Sequence, residues 1–322
     1  MNIDAIEAAA GRLSGRARRT PMLSSPFLDE IAGRRVLVKA ECLQHTGSFK
    51  YRGGWSAVSA LPDDTKGVIA FSSGNHAQGV ALAARQRGLP AVIVMPTDAP
   101  ALKRANTAAY GAEVILYDRA TEDRDAIGER LAAERGLALI RPFDDANVIA
   151  GQGTCGLEIA KQAAELGVTD GTVLTCCGGG GLTSGIALAL EARAPGLRVR
   201  PVEPEDSDDV RRSLEAGEIL RNAVQSRSIC DAIVTPSAGK LTFPILKRLC
   251  GPGLVVSDED CLKAMALAFL RLKVVIEPGG AAALAAALFH GEALEDGAVV
   301  CTASGGNVDP AVFRRALDSL AA

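Results

Sequence analysis

TVLTCCGGGGLTSGIALALEAR, residues 172–193, passes from a β-branched apolar stretch through four consecutive glycines into an alanine- and leucine-rich pattern. Thr172–Cys176 has the length and composition of a buried strand, and Leu182–Arg193 those of a helix. A strand turning into a helix through a short loop is the repeating unit of parallel α/β sheets. Four glycines weaken any regular element, so such a loop is costly unless its backbone must approach something closely. With a helix N-terminus behind them, Gly178, Gly179, Gly180, Gly181 and Leu182 suit an anion such as a phosphate. The segment does not fit G-x-x-x-x-G-K-[ST], which argues against a nucleotide P-loop. A dinucleotide-binding loop stays open on glycine content alone.

The same rhythm extends outward in both directions. Strand-like runs occur at Val36–Lys39, Val68–Phe71, Ala91–Met95, Glu113–Tyr117, Val199–Glu203 and Ala298–Thr302. Helical patterns lie between them at His76–Arg87, Thr121–Arg135 and Asn147–Leu166. Ser257 with Asp260 reads as a capped helix start, and Gly111 and Gly136 as helix stops. The expected fold class is α/β, with two domains built on mainly parallel sheets flanked by helices. A small domain over residues 67–142 is expected within a large domain formed by residues 1–66 and 143–322.

Composition narrows the function classes. The chain has 322 residues, 48% hydrophobic and 23% charged, with a formal net charge of -3. No basic block invites nucleic acid or an acidic membrane surface, and 4% aromatic residues argue against a base-stacking face. The N-terminal stretch lacks the apolar core of a secretory leader, and no apolar run reaches bilayer length. A cytoplasmic location is the expectation. Eight cysteines form no C-x-x-C pair and fall in apolar stretches, so free buried thiols are expected rather than disulfides or zinc.

Three more segments carry chemistry. In Gly47-Ser48-Phe49-Lys50-Tyr51-Arg52-Gly53, a lysine begins a helical stretch. Nearby backbone N–H groups lower the pKa of such an amine and suit it to a Schiff base, although a surface lysine at a helix start looks the same. Ser72-Ser73-Gly74-Asn75-His76 lies between a strand and a helix, where free N–H groups and hydroxyls can hold a carboxylate. A plain helix cap explains those residue types equally well. Thr302-Ala303-Ser304-Gly305-Gly306-Asn307 follows the last strand, placing a serine at the carboxyl end of the sheet.

Together, GSFKYRG, SSGNHAQG, CGGGGLTSG, VEPEDSDD, EPGGAAA and SGGNVD resemble the threonine dehydratase and serine racemase group of fold type II pyridoxal-phosphate (PLP) enzymes. The resemblance spans nearly the whole chain in order. Tyr51 after the lysine, and Gly74-Asn75-His76-Ala77, separate it from the cysteine synthases.

The resemblance implies roles. Lys50 would carry PLP and remove the Cα proton, with Phe49 beside the ring and Asn75 at its 3-hydroxyl oxygen. Gly178, Gly179, Gly180, Gly181 and Leu182 would hold the phosphate, and Ser304 would meet the pyridine nitrogen. Ser72, Ser73, Asn75 and His76 would hold the substrate carboxylate, with Ser73 able to deliver a proton opposite Lys50. Glu277 matches a position close to the cofactor. Glu203, Ser207 and Asp209 would bind Mg2+, Ca2+ or Mn2+, although a solvated acidic loop fits them too. A serine rather than a carboxylate at the ring nitrogen leaves the ring a weaker electron sink, favouring prompt loss of a β-hydroxyl.

The activity implied is conversion of a 3-hydroxy-L-amino acid such as threonine or serine to a 2-oxo acid and ammonia. Serine racemase and 3-hydroxyaspartate dehydratase are the alternatives within the group, the latter with Lys240 as a cation for the second carboxylate. A nucleotide-binding oxidoreductase and a silent PLP-binding sensor are alternatives from other classes. The chain stops soon after SGGNVD, which predicts no control by an end-product amino acid. A homodimer or higher homo-oligomer is expected, acting on a small amino-acid substrate without nucleic acid or membrane.

Overall fold

The computed structural model describes residues 1–72, 74–118, 120–222 and 226–320. Among the described residues, ten strands form two sheets. The larger sheet is built from β1 (Met22–Leu23), β2 (Val36–Lys39), β7 (Gly171–Cys176), β8 (Leu197–Pro204), β9 (Leu254–Val256) and β10 (Ala298–Thr302). Its order is β1-β2-β10-β7-β8-β9, parallel throughout except for the β1–β2 pair. The smaller sheet, order β5-β4-β3-β6, is wholly parallel. It contains β3 (Val68–Phe71), β4 (Ala91–Pro96), β5 (Glu113–Tyr117) and β6 (Ala138–Leu139).

Thirteen α-helices among the described residues link and cover these strands. The first six are α1 (Ile3–Leu13), α2 (Pro26–Ala32), α3 (Lys50–Ser59), α4 (Asn75–Arg87), α5 (Ala101–Ala109) and α6 (Arg124–Arg135). Then follow α7 (Ala146–Glu165), α8 (Gly181–Arg193), α9 (Asp209–Ala216) and α10 (Thr242–Leu249). The last three are α11 (Asp258–Leu267), α12 (Pro278–Phe289) and α13 (Pro310–Asp318).

The local reasons are visible residue by residue. Central strands such as Val36–Lys39 and Val68–Phe71 are buried along their whole length, as parallel strands covered on both faces must be. Helix α11 starts on a reciprocal capping box between Ser257 and Asp260, as the sequence suggests. In α12, Pro278 opens a run of small apolar residues buried on every side. Strands β1, β6 and β9 are not anticipated from the sequence, because two or three residues each are too few to show a period.

Helix α3 precedes residue 67, yet its Tyr51, Trp55 and Val58 share a core with Val80 of α4 and with Ile93 and Met95 of β4. Its opposite side meets α7, so both sheets' layers share the helix that begins at Lys50. A buried ion network fixes it there. Arg52 clasps Glu41 through Nε and Nη2 at 2.7 Å each, and reaches Glu158 of α7 at 2.7 Å. Lys39 of β2 completes the group, donating to Glu158 at 2.6 Å and to Gln162 at 2.7 Å.

Candidate active site

Lys50 opens α3 and projects into a cleft between the two sheets, with Phe49 beside it. Its ammonium donates to the Pro142 carbonyl at 3.0 Å and lies 5.1 Å from the Phe49 ring centre. Burial lowers its pKa to about 8, so a minority of the amine, far more than for an ordinary lysine, is neutral near physiological pH. That is the state a nucleophilic or basic lysine requires.

Ser72, Gly74, Asn75 and His76, at the turn from β3 into α4, line the same cleft. Ser72 lines it and accepts a hydrogen bond from the Gly74 N–H at 3.2 Å. Ser73, expected to act opposite Lys50, lies outside the described residues. Asn75 donates to Glu277 and accepts from Asn307 at 2.8 Å, so neighbours fix its amide orientation and leave one N–H. His76 is buried, and its Nε2 sits 2.9 Å from the Ile140 carbonyl. A carbonyl only accepts, so Nε2 carries the proton and Nδ1 presents a lone pair. Burial and the Lys50 charge push its pKa down to about 3, keeping the ring neutral. A carboxylate held by this residue therefore meets backbone N–H groups rather than the imidazole.

Across the cleft from this turn, β7 runs into α8 through the glycine loop. Gly180 is left-handed at φ 91°, a conformation that side-chain-bearing residues rarely adopt. A Cβ on Gly179 would stand 2.4 Å from the Phe143 ring. Thr242 donates to the Gly179 carbonyl at 2.7 Å, engaging that oxygen, and Gly178, Gly179, Gly180 and Gly181 all line the cleft. Leu182 in the first turn of α8 lines the cleft as well. The N–H groups of that first turn have no intrahelical acceptor, so the feature is an anion cradle.

Ser304 and Glu277 stand just behind the lining. The Ser304 carbonyl accepts the Phe49 N–H at 3.1 Å, and Cys176, which lines the cleft, has its thiol 3.4 Å from the Gly280 and Thr302 carbonyls. Glu277 is fully buried and its pKa is raised by burial, against the pull of Lys103. Lys103 was not singled out by sequence. Its ammonium bridges Asp231 at 2.8 Å and Glu277 at 3.4 Å, and its stem packs against Gly74. Three residues so far apart in the chain share no motif, and only the packing of α5 against the large-sheet loops joins them.

Glu203 in β8, Ser207, and Asp209 at the start of α9 come together. Glu203 accepts the N–H groups of Val210 at 3.0 Å and Arg211 at 2.7 Å, at the start of α9. Asn222 ties Asp209 at 2.8 Å to the Ser207 hydroxyl at 3.3 Å. Burial raises the pKa of Asp209 to about 6, and burial with the Asp209 charge raises that of Glu203. Among the described residues, no three acidic, histidine or cysteine side chains converge as a metal site. Lys240, expected as a cation for a second carboxylate, is exposed and absent from the cleft lining, where Lys103 and Arg124 stand instead. All eight cysteines are free thiols.

A buried amine of lowered pKa and a backbone anion cradle that admits no Cβ share one cleft, which fits a phosphorylated aldehyde cofactor. The family model of pyridoxal-phosphate dependent enzymes matches residues 13–305. L-threo-3-hydroxyaspartate ammonia-lyase of Saccharomyces cerevisiae is 44% identical over 303 residues, 94% of this chain and 91% of that protein. The solved threonine deaminase of T.th. superposes with a TM-score of 0.91 at 48% identity, covering 96% of this chain and 99% of its own. Maize serine racemase gives a TM-score of 0.91 at 37% identity, covering 99% and 98%. No helix among the described residues is long and apolar enough to cross a membrane. The chain belongs to the pyridoxal-phosphate dependent enzymes, in the fold type II group of threonine and serine dehydratases and serine racemases.

Proposed function

We propose that this protein removes water from a 3-hydroxy-L-amino acid such as threonine or serine, giving the 2-oxo acid and ammonia. The observation that carries the proposal is the buried Lys50 amine of lowered pKa in one cleft with the glycine cradle and with Ser72, Gly74, Asn75 and His76. PLP supplies an electron sink for the charge that develops at Cα. With PLP bound, Lys50 would hold it covalently and would take the Cα proton. Gly178, Gly179, Gly180, Gly181 and Leu182 would hold the phosphate, Asn75 the 3-hydroxyl oxygen, and Phe49 would flank the ring. Ser304 would offer the ring nitrogen a hydroxyl. Glu277 orients Asn75. The turn at Ser72, Ser73, Asn75 and His76 receives the substrate carboxylate. Loss of the β-hydroxyl leaves an enamine that hydrolyses to the products.

A dicarboxylic substrate, 3-hydroxyaspartate, is the second reading. Arg124 and Lys103 both line the cleft, with Lys103 beside Gly74 and Arg124 over the Phe71 ring. A panel of 3-hydroxy-amino acids, assayed for ammonia release and product chirality, tests both. Turnover of threonine or serine with 2-oxo acid release supports the first reading, and strong preference for a hydroxyaspartate isomer supports the second. Inversion of serine without ammonia release overturns both.

Glu203, Asp209 and the Ser207 carbonyl are proposed to hold Mg2+, Ca2+ or Mn2+. The buried Asp209 Oδ2 has no hydrogen-bond partner, and two crowded carboxylates fit an oxygen-preferring cation. Chelator should lower the melting temperature and magnesium restore it; indifference to chelator removes the metal. The protein is proposed to be a cytoplasmic homo-oligomer, a reading supported by exposed Phe27, Ile31, Phe269 and Leu270. Light scattering reads the assembly directly.

A further inference from the structure

Gln152, on the second turn of α7, has no exposed surface, yet neither end of its side-chain amide has a hydrogen-bond partner. Buried primary amides are ordinarily satisfied, since desolvation removes the water each end would otherwise bond. Other polar side chains of the same helix obey that rule. Thr154 donates to the Gly151 carbonyl at 2.6 Å, and Gln162 bonds both Lys39 and the Thr20 carbonyl. Gln152 is the exception, and it borders the cleft.

Its surroundings indicate what would complete it. A Cβ on Gly181 would stand 2.5 Å from Gln152 Oε1, and a Cβ on Gly53 would stand 3.1 Å from its Cγ. Glycines on two sides therefore give this side chain its place, against the first turn of α8. That turn offers unpaired N–H groups and the positive end of a helix dipole. The cations of the cleft stand elsewhere, Lys103 against Gly74 and Arg124 over Phe71. A phosphate dianion accepts hydrogen bonds and donates none, so the amide would turn to it the Nε2 end in place of the Oε1 that lies nearest Gly181, a flip of the amide about its last torsion.

We propose that Gln152 is part of the cofactor-phosphate site, its Nε2 donating to a phosphate oxygen alongside the backbone N–H groups. It thereby helps the apoenzyme distinguish PLP from pyridoxal, which lacks the phosphate. The inference rests on PLP as cofactor and is independent of which amino acid is the substrate.

The test compares wild type, Gln152→Met and Gln152→Glu as apoenzymes titrated with PLP and, separately, with pyridoxal, following the visible band. Gln152→Met should weaken PLP about tenfold, the loss of one charge-assisted hydrogen bond, and leave pyridoxal unchanged. Gln152→Glu should weaken PLP further by placing a carboxylate against the phosphate. The phosphorus resonance of bound PLP should shift in both variants. Equal losses for PLP and pyridoxal, or no loss for either, would assign Gln152 a packing role and overturn the proposal. Should the variants fail to fold, wild type labelled with 15N-glutamine gives the answer. A side-chain amide proton must move downfield with PLP and stay in place with pyridoxal, and an unmoved resonance refutes the contact. Wild type that binds no PLP would instead remove the cofactor assignment itself.

Discussion

Lys50 illustrates how burial sets reactivity at a single residue. Its ammonium has a carbonyl and a ring face for neighbours, and burial alone lowers its pKa to about 8. The charged form is the one disfavoured, so the neutral fraction grows as pH rises through that value. Capture of PLP by the apoenzyme should therefore accelerate with pH to a midpoint near 8, measured by the rate at which the visible band appears. A midpoint near 10.5, the ordinary lysine value, would show that the amine is not desolvated. The motif marks Lys50 in the sequence. A lowered pKa is expected there from nearby backbone N–H groups, whereas in the structure burial alone lowers it, and burial depends on distant segments such as Pro142, 92 residues away. His76 shows the same limit: the resemblance implies only that it helps hold a carboxylate, and the Ile140 carbonyl together with burial shows a neutral ring whose Nε2 is engaged.

At the scale of elements, the glycine loop was legible because consecutive glycines at a strand–helix junction have few other uses. Why each must be glycine was not legible. Phe143, which closes on Gly179, belongs to the segment entering α7 and carries no motif. Gly179→Ala should force the loop or the ring aside. PLP affinity should fall by roughly tenfold or more if one phosphate contact is lost, with most of the loss recovered in Gly179→Ala/Phe143→Ala. Spectroscopic titration of both variants checks this, and unrecovered binding in the double variant would place the strain elsewhere. The short strands β1, β6 and β9 escaped the sequence for a related reason, since their pairing partners, not their own residues, make them strands.

For the whole molecule, the network of Lys39, Glu41, Arg52 and Glu158 holds the Lys50 helix to the large sheet. Burial pushes the Glu41 carboxyl up, but Arg52 and Lys39 together bring it below its ordinary 4.5. A depressed carboxyl contributes stability that is present above its unfolded pKa and lost as pH falls through its folded one. Melting temperature should thus drop steeply below pH 4.5 in wild type and less steeply in Glu41→Gln. At neutral pH the variant should lose about 3 kcal/mol, the cost of leaving a buried charge half-paired. A variant as stable as wild type at neutral pH would show that the network is held by its other members.

The sequence by itself determined the alternation of strands and helices and marked Lys50 and the glycine loop as candidates. Each is written in contiguous residues whose backbone preferences act locally. Only the tertiary structure decided that Lys103 stands between Asp231 and Glu277, that Lys240 faces solvent, and that Gln152 lies unpaired under α8. These depend on which distant segments pack together, and burial and hydrogen-bond satisfaction exist only once they do.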